Sequence, residues 1–197
     1  MPQIIDLSSP TEVGLSAFQA GHALPMAPGL FYTAPAPGRS TLVPTNNVVR
    51  AKRITVSRPC VITSLAFEVV VAGATNSLLR LGMYSWNLDR PQSLLVDTGT
   101  SLTSVVGVKT VAVNVPVNAG DNILLAVVYQ GNTTTLPTLR SYSGDIDPQL
   151  GTSAANALGT SPKCLLATTN VSGGFPNELV WGAEDNSAVV VAVSAAA

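Results

Sequence analysis

Short runs of alternating hydrophobic and polar residues dominate the chain from residue 49 onward. In residues 79–86, two leucines and a methionine alternate with a second set of side chains, Arg80, Gly82, Tyr84 and Trp86. Residues 109–115 alternate in the same way, and their predicted core side consists of Val111, Val113 and Val115. Successive side chains of a strand point to opposite faces, so this period of two predicts half-buried β-strands.

Other runs are apolar at consecutive positions and are rich in β-branched residues. Residues 50–57 and 61–71 are of this kind, and residues 123–129 and 188–193 are apolar on both predicted faces. Clusters of Gly, Asn, Asp and Pro separate the runs and indicate turns. Regular short strands with turns between them predict an all-β fold over residues 49–197, an antiparallel two-sheet sandwich that is jelly-roll-like.

The first 48 residues differ in composition from the rest of the chain. They hold seven of the fourteen prolines and three charged residues, Asp6, Glu12 and Arg39. Proline cannot donate a hydrogen bond to a sheet, so we expect no central strand here. Because large apolar side chains recur throughout, the segment does not have the composition of a disordered linker. We therefore expect residues 1–48 to form an extended N-terminal arm for assembly or anchoring.

The chain is unusually poor in charge for a soluble domain. Charged residues make up 11% of it and hydrophobic residues 46%, whereas about 25% charged residues is typical. No apolar run reaches the roughly 18 residues that a membrane helix requires, so we expect no membrane insertion. The composition favours a subunit whose surface is covered by copies of itself or by partners. The alternative is a large β core beneath a surface of Ser, Thr and Asn.

The formal net charge of −1 provides no overall field that would attract nucleic acid. Four of the ten basic residues nevertheless fall within nine positions, and these are Arg50, Lys52, Arg53 and Arg58. An extended segment places Arg50 and Lys52 on one face and Arg53 on the other. We interpret the cluster as an edge strand protected by charge, with a phosphate-binding patch as the alternative.

Few residues in this chain are suited to catalysis or metal binding. His22 is the single histidine, and Cys60 and Cys164 are the two cysteines, so neither a Ser-His-Asp arrangement nor a zinc site is expected. The glycines form no phosphate-binding motif. We expect no enzyme activity and no cofactor, and we expect both cysteines to be free buried thiols.

One pair of carboxylates, Asp145 and Asp147, falls on the same side of an extended segment. A recognisable calcium loop requires several oxygen donors at set spacings, and the neighbouring residues do not provide that pattern. We interpret the pair as part of a solvated turn, and a calcium site is the alternative.

The candidate binding residues centre on the two tryptophans. Tyr84 and Trp86 lie on the strand face opposite the leucines, the following loop brings Asp89 and Arg90, and Trp181 is a second tryptophan further along. Aromatic rings beside polar groups hold sugars, and Trp, Tyr and Arg are also enriched at subunit interfaces. We predict that these five residues bind a glycan or form a subunit interface, and we favour the interface.

Four segments carry a resemblance to a known group of proteins. They are the strand 78–84 with its Gly-Met-Tyr end, the Leu-Leu-Val-Asp-Thr-Gly-Thr strand 94–100, the Gly-Val-Lys-Thr step 107–110, and the Ala-Gly turn into an apolar strand at 119–131. Their succession resembles the β-sandwich modules of tailed-phage virion proteins, namely tail fibres, baseplate appendages and head decorations. The resemblance covers residues 50–140 and contains no catalytic signature.

This resemblance implies a virion structural protein on the particle surface, and a tail-fibre or appendage component involved in host attachment is the main expectation. The implied partners are further copies of the chain, with a trimer favoured, other virion proteins and host-surface polysaccharide. A capsid decoration or stabilising protein is the first alternative, and a free carbohydrate-binding module or lectin is the second. The first residues do not have the pattern of a secretory signal, so we expect synthesis in the host cytoplasm and a final location in the virion.

Overall fold

All regular secondary structure in the described part of the chain consists of β-strands. The structure is a computed structural model that describes residues 23–24, 26–33, 38–86, 93–131, 134–143, 164–168, 171–179, 183–185 and 189–196. No helix of these residues is long and apolar enough to cross a membrane. The strands form two sheets packed face to face, which confirms the predicted all-β sandwich.

The first sheet has seven strands among the described residues. In chain order they are β1 (Ala23–Leu24), β4 (Val48–Val56), β6 (Leu78–Ser85), β7 (Leu94–Leu102), β9 (Asn122–Gln130), β11 (Cys164–Thr168) and β12 (Ala183–Asp185). Their spatial order is β12-β11-β4-β9-β6-β7, and β1 pairs with β4. The neighbours are antiparallel, except that the short β1 runs parallel to β4.

The second sheet has six strands in the same described ranges. They are β2 (Phe31–Thr33), β3 (Gly38–Leu42), β5 (Cys60–Val71), β8 (Gly107–Val117), β10 (Thr138–Ser143) and β13 (Ala192–Ala196). The order is β2-β13-β5-β10-β3, and β8 pairs along β5. Every pairing in this sheet is antiparallel.

The main hydrophobic core lies between the two sheets. Side chains of both contribute to it, including, from β6 and β5, Leu79, Leu81, Met83, Ile62, Leu65 and Phe67. On β8, Val111 and Val113 are half-buried and Val115 is buried, while the residues between them are exposed. The face assignments predicted for β6 and β8 are therefore confirmed.

β9 contributes to two cores, as its doubly apolar sequence predicts. Ile123, Leu125 and Val127 point into the main core, while the alternate residues Leu124, Ala126 and Val128 belong to a second cluster. That cluster lies on the outer face of the seven-stranded sheet. Residues 171–179, here called the cover segment, complete it with Val171, Phe175 and Leu179. The part of the outer face formed by β4, β6, β9 and β11 is thus covered by the chain itself.

The prediction that the basic cluster forms a charge-protected edge strand is wrong. β4 lies between β11 and β9 and pairs with both. Arg50, Lys52 and Arg53 are only 8%, 6% and 9% exposed, and each makes polar or electrostatic interactions. Lys52 Nζ lies 5.4 Å from the centre of the Tyr142 ring, within range of a cation–π contact. A central strand accommodates such residues because their aliphatic stems pack like hydrophobic side chains.

The described part of the predicted arm contributes strands to both sheets. β1 pairs with β4, while β2 and β3 form the two ends of the six-stranded order, beside β13 and β10. These end positions agree with the expectation that proline keeps the segment out of central strands. Residues 1–22 lie outside the described part, so a role of the arm in assembly stays a prediction.

Candidate functional site

Tyr84 lies on the outer face of the seven-stranded sheet and has no exposed surface. Its hydroxyl donates a hydrogen bond of 2.8 Å to the Pro176 carbonyl, and its ring meets Phe175 edge-on with 5.9 Å between the ring centres. Burial, with a smaller contribution from Asp97, raises the pKa of the Tyr84 phenol. Tyr84 therefore holds the cover segment in place and presents no surface to a ligand or to another subunit in this structure.

Asp97, on β7, joins the cover segment to the sheet. Its two carboxylate oxygens accept hydrogen bonds from Arg80 Nη1, at 2.9 and 2.8 Å. The backbone N–H groups of Phe175 and Gly99 donate to the same carboxylate at 2.8 and 2.9 Å. Burial acts to raise the pKa of Asp97, but these hydrogen bonds outweigh it and hold the pKa below its ordinary value. The ionised carboxylate thus links three parts of the chain.

Trp86 follows β6 and lines a pocket of ≈ 420 Å³. The other described lining residues are mostly small or polar, and they include Ser85, Ser93, Leu95, Pro116, Asp121 and Asn122. Several of the polar groups already have partners, because Asp121 accepts a hydrogen bond from the Asn118 N–H and Asn122 accepts one from the Thr55 hydroxyl. Trp86 Nε1 is buried and has no hydrogen-bond partner among the described residues. Because this N–H is buried, a ligand or a neighbouring subunit reaches it only if the surrounding side chains move.

The other predicted site residues cannot be placed beside this pocket. Asp89, Arg90 and Trp181 lie outside the described residues, as do His22 and the Asp145–Asp147 pair. Where the structure describes the chain, no group of three or more His, Cys, Asp or Glu residues is arranged to hold a metal ion. Cys60 and Cys164 are buried and form no disulfide with each other, which agrees with the predicted buried thiols, and burial raises the pKa of Cys60.

A second concave site, not predicted from the sequence, lies on the outer face of the six-stranded sheet. We call it the outer groove; its volume is ≈ 350 Å³, and its lining includes Phe31, Thr33, Arg39, Ala66, Glu68, Val108, Arg140 and Ala192. Arg140 Nε and Nη2 donate to the two oxygens of Glu68 at 2.9 and 3.0 Å. These hydrogen bonds from Arg140 lower the pKa of Glu68, and Arg39 adds a weaker electrostatic contribution.

One end of the sandwich exposes a group of large apolar side chains. We call it the apolar end patch; its members are 54% to 67% exposed and are Val71, Leu102, Val105, Val106 and Val108. The patch lies where β7 turns into β8, because Val69 pairs with Gly107 and the Gly73 N–H donates to the Thr103 carbonyl. The end of β5 and the β7–β8 turn are therefore side by side.

Sequence reasoning missed the cover segment and the outer groove for the same reason. Both bring together residues that are far apart in the chain, such as Phe31 with Val108 and Tyr84 with Phe175. One local signal did point to the cover segment. β9 is apolar on its outer row as well as its inner row, and an outer row of this kind needs other residues to bury it.

Comparisons with known proteins give little further information. No protein-family model and no curated protein matches the chain. Among solved structures, the clostridial cysteine protease Cwp84 after propeptide cleavage is 15% identical, with a TM-score of 0.47 over 83% of this chain and 39% of that chain. The cysteine protease and lectin-like domains of Cwp84 from Clostridium difficile are 15% identical, with a TM-score of 0.46 over 83% of this chain and 37% of that chain. The chain thus spans about two fifths of the length of these structures, and likenesses this distant carry no functional information.

Proposed function

We propose that this chain is a structural protein on the surface of a phage-type virion, where it serves as a tail-fibre or appendage component involved in host attachment. The four segments that resemble virion β-sandwiches fall in β6, β7, the start of β8, and β9 with the turn before it. The resemblance rests on these residues, and the strand-rich fold is of the kind that it implies.

The apolar end patch is the observation that carries this proposal. Five large apolar side chains stand exposed together, whereas isolated apolar residues are what an ordinary surface shows. The chain as a whole has 11% charged residues, so copies of it repel one another only weakly. Contact between copies through this patch removes its apolar area from water and yields a closed symmetric assembly, for which we favour a trimer.

Light scattering on the full chain tests the assembly. We expect a mass near three times the 20.2 kDa of one chain. Val106→Asp places a charge in the apolar end patch and is expected to shift the mass to that of a monomer. The matched control is Leu30→Asp, because Leu30 is equally exposed but lies near the opposite end of β5, beside Ala195. A monomeric natural chain contradicts the proposed assembly.

Electron microscopy tests the location on the particle. Gold-labelled antibodies against the chain are expected to decorate the tails of purified virions. Label on the heads instead supports the capsid-decoration alternative. Virions that lack the chain altogether contradict a structural role in the particle.

A further inference from the structure

The outer groove has the shape of a shallow binding site with an aromatic wall. Phe31 and Val108, which are 53% and 67% exposed, stand at its two sides. Between them Thr33 pairs with Ala192, and Ala192 pairs with Ala66, so the floor consists of small residues from three adjacent strands. The volume of ≈ 350 Å³ is at the low end of the range for small-molecule sites, about 300 to 1,000 Å³.

The charges of the groove favour an anion. Arg39 and Arg140 contribute two positive charges and Glu68 one negative charge, so the local formal charge is +1, whereas the whole chain carries −1. Glu68 is occupied by Arg140 through two hydrogen bonds. Arg39 is exposed on β3, and its side chain makes no hydrogen bond or ion pair with any residue in the described ranges. An exposed guanidinium group that is not already paired is suited to bind a carboxylate.

We propose that the outer groove binds a carboxylate-bearing sugar, such as a uronic acid or sialic acid unit of a polysaccharide. Phe31 stacks against the apolar face of the sugar ring, Arg39 pairs with the carboxylate, and Arg140 donates hydrogen bonds to hydroxyl groups. The small floor residues let the ring approach the sheet closely. The inference is argued from the residues of the groove, of which only Val108 also belongs to the apolar end patch.

Ligand-observed NMR or calorimetry on the full chain tests this inference. The acidic probes are the methyl glycosides of galacturonic acid and N-acetylneuraminic acid, and the neutral probe is methyl galactoside. We expect a Kd on the order of millimolar for an acidic probe, because one small ring offers few contacts. Arg39→Gln is expected to weaken this binding about tenfold or more, since a charge-assisted hydrogen bond is lost.

Three further variants show whether the effect belongs to the groove. Lys109→Gln removes a positive charge from the residue next to Val108 on β8, but its side chain points to the opposite face of the strand, so binding is expected to persist. Trp86→Ala alters the separate pocket and is also expected to leave acidic-sugar binding unchanged. Glu68→Gln removes the negative charge that opposes the ligand carboxylate and is expected to tighten binding several-fold.

Each other outcome contradicts the inference. Equal binding of the neutral and acidic probes shows that the groove does not select its ligand by charge. Weaker binding of the acidic probes by Glu68→Gln shows that Glu68 does not oppose the ligand carboxylate. If no sugar binds and Arg39→Gln changes the mass in light scattering, the groove is a contact between copies of the chain. If no sugar binds and the mass is unchanged, the groove is not a binding site. A melting temperature equal to that of the natural chain confirms that each variant is folded.

Discussion

Gly82 lies directly beneath the ring of Phe175, where the cover segment comes closest to the seven-stranded sheet. A Cβ atom at this position would be 2.7 Å from two carbons of that ring and 3.2 Å from the Val96 carbonyl oxygen. Carbon atoms in proteins do not approach so closely. The absence of a side chain at Gly82 is therefore what allows Phe175 to reach Tyr84.

Replacing Gly82 with alanine tests this close packing. The ring of Phe175 must move, and we expect a loss of about 1–3 kcal/mol in the free energy of unfolding. Gly173→Ala is the matched control, because a Cβ there meets nothing within 4 Å, and its effect is expected to stay within about 0.5 kcal/mol. Urea denaturation measures both variants. A Gly82→Ala protein as stable as the natural chain contradicts the observed packing.

Asp97 makes the attachment of the cover segment sensitive to acid. Its pKa in the folded protein is lowered, so it stabilises the fold at pH values above its unfolded pKa of about 3.9. This stabilisation is lost as the pH falls through the lower folded pKa. Asp97→Asn is expected to cost about 1.5–3 kcal/mol at pH 7, because it weakens hydrogen bonds to a charged group.

Denaturation at several pH values measures this contribution. The difference in stability between the natural chain and Asp97→Asn is expected to narrow as the pH falls below about 4. Glu68→Gln serves as the comparison, because Glu68 belongs to a partly exposed ion pair and such pairs contribute little to stability. A difference that stays constant from pH 7 to pH 2 contradicts the assigned ionisation of Asp97.

Trp86 is the predicted site residue that lines a pocket in the structure, so substitutions test whether it contacts a subunit or a sugar. We favour a second subunit contact here, at the opposite end of β7 from the apolar end patch, so Trp86→Ala is expected to weaken assembly by about 2–4 kcal/mol, as buried aromatic residues at interfaces do. Trp86→Phe keeps an aromatic ring and removes the unpaired Nε1–H, and it is expected to retain most of the assembly. Dilution series followed by light scattering give the dissociation constants.

The same variants separate the two interpretations of the Trp86 pocket. Loss of neutral-sugar binding by Trp86→Ala, with assembly intact, supports a glycan site instead of a subunit contact. An intact oligomer that still binds every sugar tested contradicts both interpretations.

At the scale of single elements, the sequence predicted strands best where the hydrophobic pattern is regular. β6, β8 and β9 occur where expected and turn the expected faces to the core. The last strand is displaced, because the apolar run begins at residue 188 while β13 begins at Ala192. In that run every residue is apolar, so periodicity cannot define the strand boundary.

The order of the strands could not be predicted from the local pattern. β4 was expected at an edge because of its basic residues, yet pairing with β9 and β11 places it inside the sheet. The sequence does not distinguish a lysine whose aliphatic stem is buried beside Tyr142 from a lysine exposed to solvent. Pairing between segments as distant as residues 48–56 and 122–130 depends on the whole chain, and this is why the cover segment, the Trp86 pocket and the outer groove were visible only in the structure.

At the scale of the whole molecule, the first part of the chain covers two strands of the six-stranded sheet. β2 covers β13, and β3 covers β10. Uncovered strands of this kind present unpaired N–H and C=O groups that promote aggregation. The chain before residue 49 is therefore part of the folded sandwich at least from β2 onward.

Two N-terminal deletions test how far the folded unit extends. Removal of residues 1–22 takes away no described strand, so we expect the melting temperature to change little. Removal of residues 1–42 also takes away β1, β2, β3 and the buried Met26, and we expect a lower melting temperature and aggregation. Calorimetry and light scattering measure the two effects. If the shorter protein is as stable and soluble as the natural chain, the terminal strands do not protect the sheet.

The two outer faces of the sandwich have different freedom to change over evolution. Ala51 and Ala126 are buried in the cluster that the cover segment completes, so a larger residue at either position must displace packed neighbours. Thr110 and Ala112 on β8 are exposed on the opposite side, and larger residues there extend into open solvent. Related chains can thus keep one invariant face that maintains the fold while the other drifts. A lineage can acquire a new binding preference on that face without a loss of stability.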